Sequence, residues 1–210
     1  MKDCGFLASD NQEDFQCYDQ LLFKPLQKRG WSVQEVSWRN SKINWDQFEV
    51  VVIRSPWDYQ QDPDAFIQTL QTIDQSTARL ENSLELVEWN LDKTYLRDLQ
   101  NNGVEIVPSL WKKSFQEKEY SGFFDLFETD EIIIKPTVSA NADDTFWIHR
   151  EEQQNYRSKL KRVFSNRPFL VQPFMNNIVE EGEFSVFFFG DTYSHTILKT
   201  PKQSDFRVQK

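Results

Sequence analysis

The chain has 210 residues, a formal net charge of -9, and contents of 39% hydrophobic and 15% aromatic residues, a balance that excludes a disordered chain and allows one large or two small domains. That acidity repels nucleic-acid backbones and anionic membranes, no apolar run approaches the length of a membrane span, and Met1 to Gly5 lacks the apolar core of a signal peptide, so a cytoplasmic protein without nucleic-acid or membrane partners is expected. Cys4 and Cys17 are too few for a disulfide framework or metal cluster, and reduced thiols without a function are expected.

In chain order, Gly5 to Ala8 reads as a first strand and Ser9 to Asp14 as the loop leaving it. Leu21, Leu22, Phe23 and Leu26 mark an amphipathic helix over Tyr18 to Lys28, complicated by Pro25 and stopped at Gly30. Trp31 to Val36 is a second strand, and Val50 to Ile53 is the strongest buried strand of the first half. This order predicts a small α/β unit with a largely parallel sheet.

Arg54-Ser55-Pro56-Trp57-Asp58-Tyr59 follows that strand directly, and ligands of open α/β sheets gather at the carboxyl ends of strands. Arg54 and Asp58 are therefore candidates for a substrate-facing edge; the competing reading pairs Arg54 with a carboxylate and packs Trp57 and Tyr59 into the core. Pro63 to Ile73 is a helix with Asp62 as N-cap and Phe66, Ile67, Leu70 and Ile73 inward. Gln75 to Ser83 is polar and turn-like, and a boundary there gives domains 1–80 and 81–210. A helix then opens at Asn90 to Lys93 and stops at Asn102-Gly103, and Val104 to Val107 is a short strand. A further short helix is expected around Ser121 to Phe127.

Ile132-Ile133-Ile134-Lys135-Pro136 is the stretch the second half is built around. The isoleucines read as a buried strand, and Pro136 ends its ladder, which delivers the Lys135 ammonium to a fixed point. Val138 to Thr145 is small and polar enough for backbone amides to approach phosphate oxygens. Phe146 to Ile148 returns as a paired strand with this loop at the tip, and Glu151 to Phe164 is a helix with Tyr156, Leu160, Val163 and Phe164 inward. Phe169 to Phe174 is another buried strand, after which the free amide and carbonyl of Gln172 to Met175 are placed to read an adenine edge. Glu183 to Phe189 and Thr192 to Leu198 form a hairpin about Gly190-Asp191, with Phe187, Phe188 and Phe189 expected in the core and His195 facing solvent. Glu180 and Glu181 read as a solvated turn or as acceptors for ribose hydroxyls.

These segments together resemble the ATP-grasp superfamily, in the glutathione synthetase-like branch that includes the cyclo-ligase of D-cycloserine synthesis. The resemblance is carried by Arg54 to Tyr59, Trp89 to Leu96, Lys135 to Ala140, Gln172 to Phe174, Gly182 to Ser185, Ser194 to Lys199 and Asp205 to Gln209, in family order. It implies a small Rossmann-like domain before an incomplete ATP-grasp domain, α/β overall and α+β in the second half.

The resemblance also implies an ATP-dependent ligase that joins a small carboxylate to an amine through an acyl-phosphate. Lys93 and Lys135 would meet phosphates and the adenine pocket, Ser139 and Ala140 would belong to the loop closing over the triphosphate, Gln172, Pro173, Phe174 and Met175 would form the adenine hinge, and Glu183 with Glu180 would hold ribose. Lys199 and Arg207 would steady the transferred phosphoryl group. Relatives usually carry glycine where Asn141 stands, and often a basic residue where Asp143 stands; Asn tolerates the left-handed backbone. Relatives also continue past the Arg207 strand to their Mg²⁺ ligands, so these are expected beyond residue 210. The alternative is a catalytically silent nucleotide-binding or scaffold relative. The sequence leaves a homo-oligomer open.

Overall fold

The computed structural model describes residues 1–12 and 17–200. Its contacts divide the chain into two units, Met1–Glu105 with Thr137–Asn141, and Ile106–Pro136 with Ala142–Lys210.

In the first unit the strands β1 (Lys2–Ala8), β2 (Trp31–Ser37), β3 (Val50–Ser55) and β4 (Arg79–Glu81) form a parallel sheet in the order β2-β1-β3-β4. Pleating sends neighbouring side chains to opposite faces, so β1 serves both layers. Leu7 joins Val51 and the α2 (Pro63–Asp74) residues Phe66, Leu70 and Ile73, while Phe6 joins Val50 and the α1 (Gln20–Gln27) residues Phe23 and Leu26. Helix α2 starts where expected: Asp62 accepts from the Ala65 amide at 3.2 Å, and Pro63 occupies the first turn, where a missing N–H costs nothing.

Two segments differ from expectation. The polar run 75–83 contains β4, held by pairing with Val50 to Val52 rather than by its own composition. The helix expected from Asn90 is instead a pair, α3 (Leu84–Leu91) and α4 (Tyr95–Asn101), with Asp92 to Thr94 between them. Ser83 caps α3, and Leu84, Val87 and Leu91 pack on the first core.

In the second unit β5 (Leu110–Lys112), β6 (Glu131–Pro136), β7 (Phe146–His149) and β8 (Phe169–Pro173) form an antiparallel sheet in the order β5-β8-β6-β7. The expected pairing of the Ile132 and Phe146 strands is present, with Ile132 opposite Ile148 and Ile134 opposite Phe146. One sheet face packs Ile132, Ile134, Ile148 and Val171 against Phe123 and Phe124 of α5 (Gly122–Leu126) and Leu160 and Phe164 of α6 (Gln153–Phe164). By alternation Ile133 and Lys135 point to the other face. Val104 to Val107 is not a strand; the chain first pairs at Leu110, beyond Pro108, which has no amide to contribute.

A short helix α7 (Asn177–Glu180) leads to the hairpin of β9 (Glu183–Phe189) and β10 (Thr192–Lys199). Its strands are as expected, but its aromatic residues are not core: Phe187, Phe188 and Phe189 are 40%, 58% and 73% exposed among the described residues. Hydrophobicity reported what these side chains favour, while a two-stranded ribbon has no second layer of its own. His195 is exposed and stacks on Phe187 at 4.6 Å between ring centres. Both cysteines are free thiols, and no helix among the described residues is long and apolar enough to cross a membrane.

Candidate functional site

The order β2-β1-β3-β4 reverses direction between β1 and β3, and the crevice outside their carboxyl ends is where such sheets take ligands. There the ladder slips: Leu7 faces Ile53, but Ala8 faces Ser55, leaving Arg54 as the extra residue of a bulge. Ser9, Asp19 and Ser55, all buried, cluster at this edge. Arg54 donates to Asp19 Oδ1 from Nε at 2.9 Å and from Nη2 at 2.5 Å, the Ser55 hydroxyl donates to Asp19 Oδ2 at 3.1 Å, and the Ser9 hydroxyl donates to the Ser55 carbonyl at 3.0 Å.

Asp58 sits in the next loop and accepts from Trp38 Nε1 at 2.7 Å and Arg39 Nε at 2.9 Å, with the Arg39 guanidinium lying 4.0 Å over the Trp38 ring. Burial pushes the Asp58 carboxyl up, but hydrogen bonds from Trp38 and Arg39 and the Arg39 charge hold it below the usual carboxylate value. Of the two expected substrate residues, Arg54 is thus paired on one edge and exposed, and Asp58 is held by its own neighbours.

A second cluster joins the α3–α4 connection to the loop after β6. The Lys93 ammonium reaches the Thr137 carbonyl at 3.3 Å, the Ser139 carbonyl at 2.9 Å and the Ser139 hydroxyl at 2.8 Å, while the Lys93 amide donates to the Thr137 carbonyl at 2.9 Å. Buried Thr137 donates its hydroxyl to Asp92 Oδ2 at 2.8 Å, and Ala140 is half-buried beside this anchor. Asn141 has φ of 54°, the left-handed conformation that asparagine accepts, and its side-chain amide donates to the Trp57 carbonyl at 3.3 Å. Asp144 is paired with Arg167 at 2.6 Å.

The third cluster lies in the second unit. Burial pushes the Lys135 ammonium below the usual lysine value, opposed by the Glu183 carboxylate. Glu183 also faces Lys199 across the β9–β10 hairpin at 3.5 Å. Gly182, with φ of 105°, sets the start of β9: a Cβ there would meet the Lys199 carbonyl oxygen at 2.6 Å.

In the segment expected to form the adenine hinge, buried Gln172 donates from Nε2 to Ser109 Oγ at 2.8 Å, Pro173 ends β8, and Phe174 stacks on Trp147 at 4.0 Å. The Phe174 amide is occupied by the Glu131 carbonyl at 3.0 Å; the Met175 amide donates to no acceptor among the described residues. Glu180 is exposed at the end of α7, and Arg207 lies outside the described residues. Sequence reading missed Asp19, whose partner lies 35 residues away with no spacing rule to connect them, and Gly182 was named only as part of the resemblance, its φ of 105° and its contact with Lys199 not being foreseen.

Residues 4–82 match the family model of the N-terminal domain of the D-cycloserine synthetase DcsG. Over 183 residues the chain is 28% identical to the cycloserine biosynthesis protein DcsG of Streptomyces lavendulae, a match covering 85% of this chain and 60% of that one. The crystal structure of D-cycloserine synthetase DcsG superposes with a TM-score of 0.84 at 25% identity, over 94% of this chain and 68% of that one. The chain is similar in sequence and in fold to D-cycloserine synthetase. An ATP-grasp RimK domain protein from Sphaerobacter thermophilus shares the fold at a TM-score of 0.62 and 12% identity, over 82% of this chain and 64% of that one. The chain spans about 60% of the length of the curated relative it matches.

Proposed function

We propose that the chain supplies nucleotide-binding and substrate-binding residues of an ATP-dependent carboxylate–amine ligase acting through an acyl-phosphate. The observation that carries this reading is Lys135, half-buried near the end of β6 on the sheet face away from the aromatic core, where burial disfavours its charge and Glu183 only partly offsets that. A desolvated charge without full compensation is costly in a fold and useful in a site that receives an anion.

ATP fits the residues at hand. Lys135 supplies a cation to phosphate oxygens, the Met175 amide is a donor for an adenine edge, and Ser139 and Ala140 lie in a loop of small residues tied to the second cation, Lys93. Glu183, and Glu180 beyond the short α7, are the acceptors for ribose hydroxyls, and Lys199, held by Glu183, is the cation for the transferred phosphoryl group, a role Arg207 shares. When bound, ATP would supply the phosphoryl group that activates a carboxylate as an acyl-phosphate, and an amine would attack the acyl carbon with phosphate leaving. The protein contributes position and charge neutralisation: lysines hold the phosphates, and the edge with Arg54 and Asp58 orients the small acid and amine.

For Mg²⁺, the described residues contain no group of three or more His, Cys, Asp or Glu side chains that could hold an ion by themselves. A domain division near residue 80 is supported by the family match ending at residue 82; α3, whose Leu84, Val87 and Leu91 pack on the first core, would then belong to the second domain. The test is titration of the purified chain with Mg·ATP, read by melting temperature and tryptophan fluorescence. Saturable binding that Lys135→Ala abolishes is expected. No response of the wild-type protein would remove the ligase reading, and binding without turnover would mark a nucleotide-binding relative.

A further inference from the structure

Arg54 and Asp19 form an ion pair with unequal halves. The Asp19 side chain is 6% exposed and both its oxygens are occupied, Oδ1 by Arg54 and Oδ2 by the Ser55 hydroxyl. The Arg54 side chain is 39% exposed, and among the described residues its Nη1 donates no hydrogen bond. An arginine serving only to neutralise a buried aspartate has no need of an open edge. Here the guanidinium is gripped by Nε and Nη2 and lies 5.6 Å over the Phe6 ring. Its plane is therefore fixed from the side and from below before any ligand arrives.

The backbone points the same way. Arg54 is the added residue of the β1–β3 bulge, a device that re-aims a side chain at the end of a strand. It does so at the reversal point of the sheet, where ligands of parallel sheets gather. A guanidinium with two donors held and one edge open is suited to a planar carboxylate, and holding it in advance lowers the entropy lost on binding.

We infer that Asp19 is the positioning residue of a carboxylate-receiving site, fixing the Arg54 guanidinium so that its open edge takes an acidic group of the small-molecule substrate. The inference rests on the ligase reading for the identity of the ligand as a substrate, and on the geometry of this edge for the site itself. Asp19 touches no ligand in this arrangement. It acts through Arg54. The Ser55 hydroxyl holds the second oxygen of Asp19, and the Ser9 hydroxyl holds the Ser55 backbone by its carbonyl.

The test uses the full chain and a set of acid probes, D-alanine, D-serine, β-alanine and propionate, with D-alanine methyl ester as the probe lacking the carboxylate. Binding is followed by calorimetry and by the ¹⁵Nε–H signal of Arg54. At least one acid is expected to bind the wild-type protein, to shift that signal, and to bind at least tenfold more tightly than the ester. Asp19→Asn and Arg54→Gln should each weaken the acid at least tenfold without changing ester binding, and the double variant should be no weaker than Arg54→Gln alone. That double variant replaces both charges by amides, so it stays informative if a single variant strands a charge and fails to fold.

Acid binding unchanged in Asp19→Asn, equal losses for acid and ester, or no acid bound by the wild-type protein would each overturn the assignment. Mg·ATP binding is measured in parallel. Its absence from the wild-type chain refutes the ligase reading, whereas its persistence with unchanged acid binding in the variants refutes the positioning role alone.

Discussion

Replacing Lys135 by methionine should make the ligand-free protein more stable while removing its response to nucleotide. Lys135 lies on the sheet face opposite the aromatic core, across from Leu170, and desolvation disfavours its charge. Its compensating neighbour Glu183 has a side chain 52% exposed and is also 3.5 Å from Lys199, so deleting the lysine strands no buried anion. Exchanging a poorly compensated buried charge for an apolar side chain of similar length is neutral to stabilising, here about 1 kcal/mol. For a chain of this size that raises the melting temperature by about 2–4 °C.

The pH dependence follows from the same shift. A lysine whose folded pKa lies below its unfolded value binds fewer protons when folded, so stability rises with pH between the two values. The full penalty is present at neutral pH and fades towards the ordinary lysine value of about 10.4, so the gap between Lys135→Met and wild type should narrow by pH 10. With Mg·ATP at a hundred times its dissociation constant the wild-type protein gains about 2.7 kcal/mol; a hundredfold loss of affinity reduces that to about 0.4 kcal/mol. Melting curves with and without nucleotide, from pH 7 to 10, read both effects. A ligand-free variant destabilised by more than about 1 kcal/mol, or one that keeps its nucleotide gain, refutes the reasoning.

Gly182→Ala should destabilise the β9–β10 hairpin by about 2–4 kcal/mol, because the new methyl group meets the Lys199 carbonyl and the backbone is left-handed there; denaturant unfolding within about 0.5 kcal/mol of wild type would contradict this. Asp58 has a folded pKa below its unfolded value, so its stabilisation is present above about pH 4 and is lost as pH falls through the folded value. The stability difference between wild type and Asp58→Asn should therefore shrink in acid, and an unchanged difference from pH 7 to 3 would rule out the shift. Phe164→Ala, at a fully buried position in the second core, should cost about 3–5 kcal/mol in urea unfolding.

The elements readable from sequence were those whose own pattern decides them. Asp62-Pro63 marks the start of α2, and the spacing of Phe66, Leu70 and Ile73 names its inner face. The Ile132 and Phe146 segments announced a hairpin by composition. The failures have a common cause in partners distant along the chain. Strand β4 is polar at its ends and is a strand only because β3 presents an unpaired edge. Val104 to Val107 has the composition of a strand but no neighbour to pair with. The first half of the candidate site was legible at Arg54, since it follows a buried strand, but its partner Asp19 was not, since the contact depends on sheet order and a bulge. Lys93 and Ser139 were both named, and their contact was not foreseen, since 46 residues separate them.

The distribution of buried polar groups gives an independent reason to regard these places as functional. Among the described residues the buried polar side chains are Ser9, Asp19, Ser55, Thr137 and Gln172, and each lies at or beside the carboxyl end of a sheet strand or in direct contact with one. The cores themselves are almost wholly apolar and rich in aromatic residues, which is the cheaper way to stabilise a fold. Burying a hydroxyl, an amide or a carboxylate requires a matched partner for each, and a network of this kind narrows geometry more than it adds stability. Ser55 holds the aspartate that grips Arg54, Ser9 holds the Ser55 carbonyl, Thr137 holds the residue before Lys93, and Gln172 ties the strand leading to Met175 to Ser109. In each case the buried polar group stands one contact or a few residues behind a group proposed to meet ligand, the arrangement expected when the precision of a site, rather than the depth of a core, governs which residues are buried.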